Sequence, residues 1–183
     1  RRFGKTLLIS TLEELFLGNK KMFKGLWIEK SDWQWKRHPV IRLDLSILDV
    51  ETATDLKNDL AATLDEIALG YKVDISKFST PGTKLKGLVA QLAKKEKVVL
   101  LVDEYDYPML THITDPQRSK ANRDVIKNFF TVAKGLDRHW RTIFITGVSK
   151  FSKTSIFSGI NNLNDISEKP VAAVLLGYTQ QEL

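Results

Sequence analysis

Five consecutive apolar residues, Val98-Val99-Leu100-Leu101-Val102, stop abruptly at the acidic pair Asp103-Glu104. A run without polar alternation has no face to offer water. At this length it suits a strand covered on both sides, as in a parallel sheet. The flanking segments carry a helical period instead. Leu85, Leu88, Val89 and Leu92 mark a helix before the run, with a basic outer face ending in Lys94-Lys95. A second helix is read over 122–136 after it. Upstream, 40–45 reads as a strand, with 46–49 as its exit loop. Leu56, Leu60, Leu64 and Ile67 share one face of a helix over 52–68 that Gly70 ends. Downstream, 142–146 and 171–176 read as two further buried strands. Strands alternating with helices predict an α/β fold built on a mainly parallel sheet.

Composition narrows the chemistry. The 183 residues suit one domain, 1–183, with a substantial core. There is no cysteine, which excludes disulfides, thiolate metal sites and a cysteine nucleophile. The three histidines, His38, His112 and His139, are too widely spaced to build a metal site. No apolar run approaches the roughly 20 residues of a membrane span, and the start has no signal-peptide pattern. The expectation is a cytoplasmic protein with no membrane partner. The formal charge of +6 favours anionic partners, nucleotides or nucleic acid. Arg1-Arg2 opens the chain without an initiator Met, and Thr179-Gln180-Gln181-Glu182 has the spacing of a helix start. Both are read as marks of a piece of a longer protein. Trp27, Trp33 and Trp35 are expected to pack against the sheet.

Three segments carry candidate chemistry. Gly4-Lys5-Thr6 heads a helix whose apolar face is Leu8, Leu12, Leu15 and Phe16 and whose stop is Gly18. Backbone N–H groups converge at a helix N-terminus and favour phosphate there. Gly4 lets the backbone approach, Lys5 supplies charge, and the Thr6 hydroxyl is suited to Mg²⁺. The full phosphate-loop pattern also asks for a Gly five positions before Gly4. Asp103 and Glu104 close a buried strand, and ligands of parallel sheets bind beyond the carboxyl ends of the strands. Asp103 would support Mg²⁺, and Glu104 would orient or deprotonate the attacking water. In 142–150 a strand again ends in polar groups, and Thr146, Ser149 or Lys150 would report the γ-phosphate. The three segments come in the order a P-loop nucleotide hydrolase requires.

On these residues the chain resembles a known family. Arg1-Arg2-Phe3-Gly4-Lys5-Thr6, Val102-Asp103-Glu104-Tyr105-Asp106 with Pro108, and Thr146-Gly147-Val148-Ser149-Lys150-Phe151-Ser152 are similar to the AAA-ATPase-like family of bacterial proteins. So are Ser155-Ile156-Phe157-Ser158-Gly159 with Asn161-Asn162-Leu163, and Leu176-Gly177-Tyr178-Thr179. The resemblance implies a P-loop NTPase three-layer core with an extra strand between the phosphate loop and the Asp-Glu strand. The piece would be truncated at the first strand and before the helical lid. The family's loop typically reads Arg-Pro-Arg-Arg-Phe-Gly-Lys-Ser, and here Thr6 replaces the Ser. The resemblance further implies ATP and Mg²⁺ as ligands. Arg2, Phe3, Gly4, Lys5 and Thr6 would hold phosphate, with Thr6 and Asp103 toward the metal and Glu104 as the catalytic group. Thr146, Ser149 and Lys150 would be the sensor-like segment. A C-terminal domain similar to nucleases often follows in full-length members.

Three functions are therefore expected in turn. The first is a Mg²⁺-dependent ATPase that switches conformation. The second is a nucleotide-binding regulatory module with little turnover, attached to a nuclease-like effector. The third is a basic domain in which Lys84, Lys86, Lys94 and Lys95 track a nucleic-acid backbone. Arg118, Arg123, Arg138 and Arg141 are the arginines available to a transition state. Asp44 and Ser46 are read as loop-capping groups, and Asp106 as a turn residue.

Overall fold

The computed structural model describes residues 4–148, 163–167, 169, 172 and 175–176. In chain order the elements are α1 (Lys5–Phe16), β1 (Val40–Asp44), α2 (Ala53–Gly70), α3 (Pro81–Leu92), β2 (Val98–Asp103), α4 (Tyr107–Leu110), α5 (Pro116–Lys134) and β3 (Trp140–Ile145). The strands pair in parallel in the order β1-β2-β3. The chain is thus an α/β protein, and β1 lies between the helix after Gly4 and the strand ending in Asp103.

The central strand divides its side chains between two cores. Val98, Leu100 and Val102 join Ile41 and Leu43 in a cluster with α2, α3 and α5. Val99 and Leu101 point the other way, onto Ile9 and Phe16 of α1 with Val40. Every residue of β2 is buried, 1% exposed or less. Each such side chain contributes about 1.5–3 kcal/mol on leaving water, so the unbroken run is the main reason the layers close. The fully buried residue on α1 is Ile9, one position from the expected Leu8, which is only half-buried.

Local capping explains the remaining boundaries. Thr52 caps α2 through a bond from Asp55 N, and α2 runs two residues past the expected Ala68. Thr80 and Thr83 form a reciprocal capping box, with Pro81 in the first turn, so α3 begins four residues before its first expected apolar position, Leu85. α5 begins at Pro116, six residues before the predicted start, because Asp115 accepts from Gln117 N and Arg118 N. Leu45 leaves the strand for a short 3-10 turn. Thr146 lies beyond β3, which starts two residues earlier than predicted, at Trp140. Within the predicted strand 171–176, Ala172 donates to Lys169 O and Leu175 to Ala172 O. These are turn bonds, and none of the described residues of that span, 172, 175 and 176, lies in a strand. The helix start read at Thr179 lies outside the described residues.

Two surface features depart from expectation. Trp33 packs edge-on against Phe16, and Trp35 against Phe23, but Trp27 is 83% exposed. Lys84 is buried on α3, its Nζ 2.6 Å from Asp65 Oδ1 on α2. It braces two helices and cannot track a nucleic-acid backbone, whereas Lys86, Lys94 and Lys95 remain exposed. At the outer edge of the sheet, the Tyr71 hydroxyl accepts from Val40 N at 2.7 Å and donates to Val40 O at 3.0 Å.

Candidate functional site

Parallel pairing sends all three strand ends to one rim. Asp44 and Asp103 are register partners there, and β3 delivers Thr146 beside them. α1 runs back from this rim. Its far end lies near the strand starts, where His38 N bonds Phe16 O and the His38 ring meets Lys97 O. Its first residues therefore stand over the carboxyl ends of β1 and β2.

Gly4 precedes α1 at φ 86°, ψ 11°, a left-handed turn that glycine adopts without strain. Gly4 has no side chain to cap the helix, and among the described residues its leading N–H groups have no side-chain cap. A Cβ on Gly4 would meet nothing within 4 Å among the described residues, so the turn's shape and not crowding favours glycine. Lys5 reaches from this point toward β2, and its Nζ lies 3.7 Å from Glu104 Oε1. Both side chains are largely shielded, at 16% and 24% exposure. Thr6 is exposed on the first turn.

Glu104 holds its backbone at φ 50°, uncommon for a residue with a Cβ. Its N–H donates to Asp103 Oδ1 at 3.0 Å. Asp103 is fully buried, and Thr146 Oγ1 also donates to its Oδ1. Asp103 Oδ2 is buried without a hydrogen-bond partner among the described residues. A buried carboxyl oxygen left without a hydrogen bond is costly, so among the described residues this oxygen is an open polar atom of the rim.

The Thr146 hydroxyl is thus directed at Asp103, a contact the sequence does not reveal. Arg2, Phe3, Ser149 and Lys150 lie outside the described residues. Asp44 binds Ser46 N at 2.9 Å and Ser46 Oγ at 2.6 Å, the loop-capping role read for this pair. Arg118 pairs with Glu51 and Asp115. Arg138 and Arg141 stand before and within the start of β3, at the rim opposite Asp103, and cannot serve this chain's own site. No cluster of three or more His, Asp or Glu side chains able to hold a metal exists among the described residues.

Asp106, read from the sequence as a turn residue, is fully buried, at 0% exposure, and its bond to the segment after β3 is what the sequence reading missed. Its two oxygens accept from Val148 N at 3.1 and 2.9 Å. The signal was Gly147, directly after a strand, where glycine often marks a close approach.

A curated protein of Azotobacter chroococcum mcd 1, described as an uncharacterized protein in the vnfD 5' region, is 41% identical over 190 residues. The match covers all of this chain and 36% of that protein, so the chain spans about a third of its relative's length. No solved structure matches. The family model described as Predicted AAA-ATPase matches residues 1–157. With a family model covering most of its length, the chain belongs to the predicted AAA-ATPase family.

Proposed function

We propose that this chain binds ATP with Mg²⁺ at the rim between the start of α1 and the ends of β2 and β3. There it hydrolyses ATP to ADP and phosphate and uses the cycle to switch conformation. The observation that carries the reading is the approach of Lys5 Nζ to Glu104 Oε1 at 3.7 Å. It brings a phosphate-binding cation and a water-activating carboxylate within reach of one small ligand. Arg2, Phe3, Gly4, Lys5 and Thr6 form the phosphate loop in this reading. Lys5 exchanges its carboxylate partner for phosphate oxygens. Glu104, released from Lys5, orients water for in-line attack and takes its proton. Asp103 Oδ2 and the Thr6 hydroxyl would hold the metal. Thr146 holds the Asp103 carboxylate, with Ser149 and Lys150 as the γ-phosphate sensors. Mg²⁺, when bound, neutralises charge developing on the phosphate oxygens. The unassigned length of the relative leaves room for an effector coupled to this core, and a nuclease-like domain is the proposed one.

The test compares Glu104→Gln and Lys5→Ala with the wild type in the intact protein. ATP at a hundred times its dissociation constant should stabilise the wild type by about 2.7 kcal/mol. Glu104→Gln should keep that stabilisation and lose phosphate release by about 10²-fold or more. Lys5→Ala should lose the stabilisation. Binding without phosphate release in the wild type would make the chain a regulatory nucleotide module. No nucleotide-dependent stabilisation would remove the reading altogether.

A further inference from the structure

Asp106 has no part in the phosphate chemistry described above, yet it is a fully buried carboxylate a few residues from Glu104. The turn after β2 and the segment after β3 are joined at successive points. Thr146 N donates to Val102 O at 2.8 Å, and Tyr105 N donates to Thr146 O at 3.0 Å. Thr146 Oγ1 reaches Asp103. The ladder between the strands then has no regular continuation, because Glu104 has turned into the left-handed region. Asp106 supplies the next rung with its side chain, accepting Val148 N on both oxygens. Gly147 makes this approach possible, since a Cβ there would lie 2.5 Å from Tyr105 Cε1 and 2.7 Å from Asp106 Oδ1.

We infer that Asp106 is a positioning residue for hydrolysis: by holding Val148 N it locks the segment after β3 to the turn that carries Glu104, so that both move as one unit when nucleotide arrives. The inference rests on the proposed ATPase reading. A carboxylate accepting a backbone N–H is a strong, directional tie in a dry site. Without it, the Glu104 turn and Thr146 still meet Lys5 and Asp103, but their mutual spacing is free to drift. Small misplacements of this kind cost rate far more than affinity.

The experiment uses Asp106→Ala and Asp106→Asn in the intact protein, with ATP as substrate and a non-hydrolysable ATP analogue as probe. Asp106→Ala should lower kcat at least tenfold per folded molecule while KM and analogue affinity stay within twofold. Asp106→Asn keeps one carbonyl acceptor for Val148 N and should recover part of the loss. Amide hydrogen exchange supplies a second readout. The analogue should slow exchange over 146–148 in the wild type and fail to do so in Asp106→Ala, although it still binds. Unchanged kcat in both variants, or loss matched by the unfolded fraction, overturns the inference and leaves the ATPase reading intact. If Asp106→Ala does not fold, Asp106→Asn alone decides, and wild-type kcat with wild-type exchange protection in it overturns the inference. A wild type that binds no analogue overturns both, a result distinct from the others.

Discussion

Glu104 holds a backbone conformation set against local preference. A residue with a Cβ at φ 50° sits in a conformation that costs of order 1–3 kcal/mol and survives only where neighbours over-determine it. Here the neighbours are identifiable: Asp103 Oδ1 on its N–H, Lys5 on its carboxylate, and the Tyr105 bond to Thr146 on its following residue. Gly147 pays no such strain but leaves no room. Gly147→Ala should destabilise the protein by about 1–3 kcal/mol, read from denaturant unfolding, because the new methyl collides with the Tyr105 ring and the Asp106 carboxylate. Lys5, Asp103 and Glu104 were legible as residue types at strand and helix ends. The Asp103 bond from Thr146 was not, because it joins positions 43 apart in sequence that only the pairing of β2 with β3 brings together.

At the scale of elements, apolar patterning located α1, α2, α3, β1 and β2 within a few residues. It failed where a cap, not a hydrophobic period, sets the boundary. Asp115-Pro116 starts α5 with a side-chain acceptor and a residue that needs no N–H partner, before any apolar residue appears. The first turn, Pro116-Gln117-Arg118-Ser119, therefore fell outside the helix expected over 122–136. Asp115→Ala should cost about 1 kcal/mol and fray that turn, visible as faster amide exchange at Gln117 and Arg118. The four-residue α4 was illegible for a related reason, being too short to show a period. Lys84 was misread because a helix wheel counts a lysine as solvent-facing. The residue is buried, and its head on α3 meets Asp65 on α2.

For the molecule as a whole, the unbroken run of β2 dictated most of the architecture, since a strand buried on both faces requires helices on both. What it left undetermined was the order of the strands and the fate of the outer edge. β1 is that edge, and Tyr71 stands against it with its hydroxyl on both polar backbone groups of Val40. Burial raises the Tyr71 phenol above its ordinary value of 10.0, the Val40 bond offsetting part of this. The folded state thus holds the proton more tightly than the unfolded chain. Tyr71 contributes fully below pH 10.0, and that contribution is lost as pH rises through the higher folded value. Tyr71→Phe should cost about 1 kcal/mol at neutral pH and flatten the alkaline limb of the stability profile. A phenol parked on the edge strand of the described sheet also occupies the spot where a stray chain would begin to zip on. Removing one oxygen atom from this tyrosine should therefore turn a well-behaved solution cloudy sooner on heating, by light scattering, even at temperatures where the fold itself survives.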